Sequence, residues 1–121
     1  MRDAGQAYRI TAKQIASPRD LEADLLLKAA SRLQAIRDAW DGAKSGLDDA
    51  LLYNRKLWSI FLTSATGDDC ALPTDVRRNV ANLGLFVMKQ TVSMISDPKP
   101  ERLNSLININ RELAAGLRGS K

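Results

Sequence analysis

Residues 47–62 read LDDALLYNRKLWSIFL. Leu47, Leu51, Trp58, Phe61 and Leu62 recur at spacings that a 3.6-residue period brings to one side of a helix. Asp48 and Asp49 stand in its first turn, where the positive end of the helix dipole favours acids. The stretch opens near Ser45-Gly46 and stops before Thr66-Gly67-Asp68-Asp69, a loop composition. No alternating strand pattern competes with this reading.

The same period extends outward in both directions. Ser17-Pro18 is a helix start, with Ser as cap and Pro at the first helical position. Asp20, Glu22 and Asp24 follow, and Leu21, Leu25, Ala29, Leu33, Ile36 and Trp40 form a stripe. That helix is expected over 18–41, ending near Gly42. Leu72-Pro73-Thr74-Asp75 opens a third helix reaching about Ser96, with Val76, Val80, Leu83, Val87 and Met94 in line. Asp97-Pro98-Lys99-Pro100 breaks the chain. Pro100 starts a fourth helix with Leu103, Leu106, Ile107, Leu113 and Leu117 on one side, stopping at Gly119. The expected architecture is an all-α, single-domain bundle of about four helices over 17–121. Residues 1–16 form a partly ordered N-terminal arm anchored by Tyr8.

The composition limits the function. The chain has 121 residues, 45% of them apolar, which suffices for one core. Its net charge of +4 is spread evenly: residues 1–60 hold ten basic and eight acidic groups, residues 61–121 eight and six, so each half is +2. Nucleic-acid binders cluster their cations to neutralise phosphates, so direct nucleic-acid binding is not expected. There is no His and a single Cys, Cys70. That excludes a Cys/His zinc site, an intrachain disulfide, and Ser–His or Cys–His catalysis. No apolar run approaches the roughly 20 residues of a membrane span, and Met1–Ser17 has no signal-peptide core. The expected location is the cytoplasm.

No catalytic constellation or cofactor site emerges. Asp68-Asp69 reads as a solvated turn. Gly42 and Gly46 bound a helix connection and match no phosphate-binding spacing. Cys70 precedes a helix start, where its pKa could fall, but a lone Cys reads first as a small buried hydrophobe. Trp58 and Phe61 read as core, and Trp40 as core or half-exposed.

Two asparagines stand out. Asn54 and Asn110 both lie on apolar stripes, each followed by an arginine, Arg55 and Arg111. A buried Asn costs a few kcal/mol unless paired. Each is therefore expected to bond a neighbouring helix or chain end, or else a partner. Arg55 and Arg111 could pair with acids or cap carbonyls. The third helix is apolar around most of its circumference from Leu83 to Ile95. Either it is the central helix, or Leu85, Phe86, Met88, Val92 and Ile95 belong to an exposed groove for another helix. Two methionines, Met88 and Met94, suit such an adaptable surface.

Four stretches resemble the FlaF family of flagellar biosynthesis regulators. They are Ser17-Pro18-Arg19-Asp20-Leu21-Glu22-Ala23, Asn54-Arg55-Lys56-Leu57-Trp58-Ser59-Ile60-Phe61, Leu72-Pro73 with Arg77–Gly84, and Leu106–Leu117 around Asn110. Tyr8 fits a Tyr of the family's arm. The resemblance implies a non-enzymatic protein without cofactor. It implies binding of flagellin as a secretion chaperone, and promotion of flagellin synthesis together with FlbT. It leaves two alternatives: a direct binder of flagellin mRNA, or an adaptor bridging FlbT to flagellin.

Overall fold

A computed structural model describes residues 18–67 and 72–119. Tyr8, the arm, the Ser17 cap, Asp68-Asp69 and Cys70 lie outside the described residues. Four long helices carry the fold: α1 (Pro18–Asp38), α2 (Leu47–Thr66), α3 (Thr74–Ser96) and α4 (Leu103–Gly119). A short helical turn, Trp40–Ala43, and a 3-10 turn, Lys44–Gly46, join α1 to α2, and a second 3-10 turn, Pro100–Arg102, leads into α4. All regular structure among the described residues is helical. The protein is an all-α bundle, as the apolar period implies.

The first helix ends earlier than its stripe. Ala39 leaves the helical region, with φ −118° and ψ 42°, and separates α1 from the turn at Trp40. Trp40 is half-buried against the core beyond that break, with the Lys44 ammonium 5.8 Å from its ring centre.

The helices pair antiparallel. α1 lies along α4, tied at one end by Arg37 Nη1 donating to Asn104 Oδ1 at 2.8 Å and at the other by Arg118 with Asp24. Ala23, Ala29 and Ala30 are buried on α1, and such small residues let a neighbouring backbone approach closely. α1 also packs on α2, where the Arg32 guanidinium sits 4.7 Å from the Tyr53 ring centre. α2 and α3 form a hairpin closed by Arg77. Its Nε donates to the Ala65 carbonyl at 2.8 Å and its Nη2 to the Gly67 carbonyl at 3.2 Å. These carbonyls would otherwise be orphaned at the end of α2. α3 packs chiefly on α2 and only lightly on α4.

The core gathers Leu26 and Leu33 of α1, Trp58 of α2, Val87 and Met94 of α3, and Leu103, Leu106 and Ile107 of α4, all fully buried. Each such aliphatic side chain stabilises the fold by about 1.5–3 kcal/mol.

Gly84 marks the tightest contact of the hairpin. A Cβ there would stand 2.5 Å from Leu62 Cδ2 and 2.8 Å from its Cγ. A helix-interior Gly→Ala ordinarily stabilises by about 1 kcal/mol. Here overpacking outweighs that gain, so Gly84→Ala should destabilise by about 1 kcal/mol. In a Leu62→Ala background the same change should stabilise. Urea midpoints of the four proteins in this cycle check the sign reversal.

Burial raises the Glu22 carboxyl above its ordinary value, and the positive charge of Arg19 offsets part of this. The folded state therefore holds this proton more tightly than the unfolded chain. The contribution is most favourable below the unfolded pKa and is lost as pH rises through the folded one. Glu22→Gln should thus raise the melting temperature at pH 7 and leave it unchanged below about pH 4. Paired thermal melts across that range test this.

Candidate functional site

α3 buries one line of residues, Val80, Gly84, Val87, Thr91 and Met94. It is therefore not the central helix, contrary to the burial reading of its apolar excess. Val76 and Leu83 pack partly buried against the core, whereas four apolar residues face outward: Leu85 is 60% exposed, Val92 63%, Ile95 59% and Phe86 44%. Met88 is half-buried and packs against the core. At about 100° per residue, Leu85, Met88, Val92 and Ile95 form one stripe beside the buried line. Phe86 falls about 100° away from Leu85 and is not part of it. The five candidates thus divide into a stripe of four and a separate aromatic.

The stripe leads into a groove of about 270 Å3 between α2 and α3. Asp48, Leu51, Leu52, Arg55, Thr91 and Ile95 line it. The Thr91 hydroxyl donates to the Val87 carbonyl at 2.7 Å, so its hydrogen-bonding capacity is largely spent within its own helix. The lining surface of the groove is mostly apolar, and Leu52 contributes an exposed side chain from α2.

Beneath this hairpin lies a buried polar relay. Trp58 Nε1 donates to Asn110 Oδ1 at 2.9 Å, and Asn110 Nδ2 donates to Asn54 Oδ1 at 2.6 Å. All three residues are wholly buried. The direction follows from chemistry. An indole N–H can only donate, so Asn110 must present its oxygen to Trp58 and its amide nitrogen to Asn54. Asn54 then answers with its oxygen, and its own Nδ2 has no partner among the described residues. The relay fixes α2 against α4 and holds Trp58 edge-on to Phe61, with ring centres 5.8 Å apart. It is a positioning device and carries no reactive group.

The other sequence candidates spread around this frame. Leu72 is half-buried and Pro73 exposed at the entry to α3. Arg111 pairs with Gln34 of α1. Arg55 has no ion pair or carbonyl partner among the described residues and stands free at the groove. Capping of carbonyls falls instead to Arg77, which no helical stripe marks out. Tyr53, stacked beneath Arg32, is likewise invisible to apolar spacing. No group of three His, Cys, Asp or Glu among the described residues is placed to hold a metal ion. No helix among them is long and apolar enough to cross a membrane.

The relay orders its own mutants. Asn54→Ala removes one unpartnered donor and creates another at Asn110 Nδ2. Asn110→Ala leaves both the Trp58 N–H and the Asn54 oxygen unpaired. Each additional orphan costs about 1–3 kcal/mol. Asn110→Ala should therefore be more destabilising than Asn54→Ala by about 2 kcal/mol or more, although both remove the same atoms. Chemical denaturation of the two variants checks this ranking.

The family described as flagellar protein FlaF matches residues 4–117. No curated protein and no solved structure matches the chain. The matched range takes in the buried relay, the Arg77 clamp and the groove, and is that of a flagellar family not known for enzymes. Over nearly its whole length, then, the chain belongs to the FlaF family of flagellar proteins.

Proposed function

We propose that this protein binds flagellin, acts as its secretion chaperone, and promotes flagellin synthesis together with FlbT. Family membership supports a flagellar role. The observation that carries the binding reading is the exposed stripe of Leu85, Val92 and Ile95 beside the α2–α3 groove. Flagellin must stay monomeric before export, and its terminal helices drive polymerisation. A groove between two antiparallel helices is the shape that receives a third, amphipathic helix. Covering one terminal helix in this way keeps flagellin from assembling early.

The energetics set the scale. Each of the three exposed aliphatics of the stripe, Leu85, Val92 and Ile95, has roughly 1–1.5 kcal/mol still to gain from burial, so the stripe offers about 3–4.5 kcal/mol. Association itself costs an estimated 4–15 kcal/mol. The stripe is thus an anchor that needs further contacts, which suits a client that must be released to an export machine.

Size-exclusion chromatography and calorimetry with purified monomeric flagellin test the proposal. A complex should form with the full-length protein and fail when the terminal helices are removed. Val92→Asp or Leu85→Asp should weaken it about tenfold or more with the melting temperature nearly unchanged, because both side chains already face solvent. Met88 is unsuitable for such a test, since it packs on the core. Absence of a complex at tens of micromolar, or binding indifferent to Val92 and Leu85, overturns the reading of this face. Co-elution with FlbT in a parallel run examines the partnership.

A further inference from the structure

α2 and α3 together carry five basic groups and three acids, and all three acids, Asp48, Asp49 and Asp75, stand in first turns. Residues 50–67 of α2 and its end, and residues 76–96 of α3, contain five basic groups and no acid. Arg77 is committed to the carbonyls of Ala65 and Gly67. Arg55, Lys56, Arg78 and Lys89 are exposed and have no ion pair among the described residues. Lys89 stands four residues after Leu85 and three before Val92, so it lies against the exposed stripe. Arg78, seven residues before Leu85, continues the same edge, and Arg55 borders the groove from α2. The single acid at this groove is Asp48, at the first turn of α2.

We infer that the α2–α3 groove takes an acidic amphipathic helix of a partner protein. Its apolar residues lie along Leu85, Val92, Ile95 and Leu52, and its flanking carboxylates face Arg78, Lys89 and Arg55. The inference rests on the reading above that this face receives a client helix, and it adds what that helix must carry. From Leu85 to Ile95 the stripe is about 15 Å long, three turns of one helix. Phosphate backbones would use the cations and leave the apolar stripe in water. A protein helix with acids beside its apolar face satisfies both. The unpaired cations supply the selectivity that the apolar anchor lacks, and they speed encounter.

The test uses the full chain and a synthetic 18-residue helical peptide. The peptide has leucines at i, i+3, i+7 and i+10 and glutamates beside them. A twin carries lysine in place of each glutamate. Fluorescence anisotropy at about 50 mM salt should show the glutamate peptide binding about tenfold or more tightly than its twin, with the gap narrowing at about 500 mM. Amide shifts in NMR spectra should map to Leu52, Leu85, Val92 and Ile95. Arg78→Glu combined with Lys89→Glu, both on exposed positions, should invert the preference between the peptides.

Equal binding of the two peptides, shifts confined to other helices, or capture by anionic phosphatidylglycerol vesicles but not by the peptide would overturn the inference. So would Val92-dependent self-association in sedimentation, which would make a second copy the occupant. The outcome for flagellin is separable. Flagellin binding that is lost on Val92→Asp but unchanged by the double charge reversal keeps the chaperone reading and removes the acidic client helix. Preference for the glutamate peptide without any flagellin complex does the reverse.

Discussion

A buried indole N–H has a single use, which is to donate a hydrogen bond. Trp58 donates to Asn110, and that bond dictates the orientation of every amide behind it. The consequence is a fixed register between α2 and α4 at the centre of the bundle. Sliding either helix by one residue would strand three polar side chains in a dry core. The apolar contacts around them are tolerant of small shifts, as hydrophobic packing is. The relay is therefore what turns a set of sticky helices into one arrangement. The unpartnered Asn54 nitrogen is the cost of ending a directional chain inside the core.

With α2 set, the molecule divides into a closed side and an open side. α1 and α4 lie together along their length, with buried alanines on α1 and Arg–Asp and Arg–Asn ties at the ends. α3 leans on α2 from outside. Arg77 clamps one end of that hairpin and the Gly84–Leu62 contact brings the two helices close at its middle. Among the described residues nothing comparable covers the stripe of Leu85, Val92 and Ile95 beside the α2–α3 groove.

Much of this was legible from residue order. Period alone places the four helices, and a stop at Thr66-Gly67 and a break at Asp97-Pro98 bound them well. The isolated asparagines inside apolar stripes announce a buried polar pairing, because neither could be left unpaired. What period cannot supply is the identity of neighbours. The apolar circumference of α3 fits either a central helix or an exposed groove, since a count of apolar residues does not tell a second helix from empty solvent. The same limit groups Phe86 with Leu85, adjacent in sequence but about 100° apart on the helix. The Trp40 break depends on one residue, Ala39, whose side chain gives no sign of it. Arg77 looks like any surface arginine until the end of α2 is seen beside it.

Among the described residues, α3 has one main neighbour, α2. Helices draw most of their stability from packing, and a helix supported on one side opens more readily than one enclosed. A helix laid along the exposed flank would supply the second wall. Whatever binds there also completes the fold of its host, so occupancy and lifetime become linked. An empty protein would then be the form that a protease meets first, and the amount of this protein in a cell would follow the amount of its client.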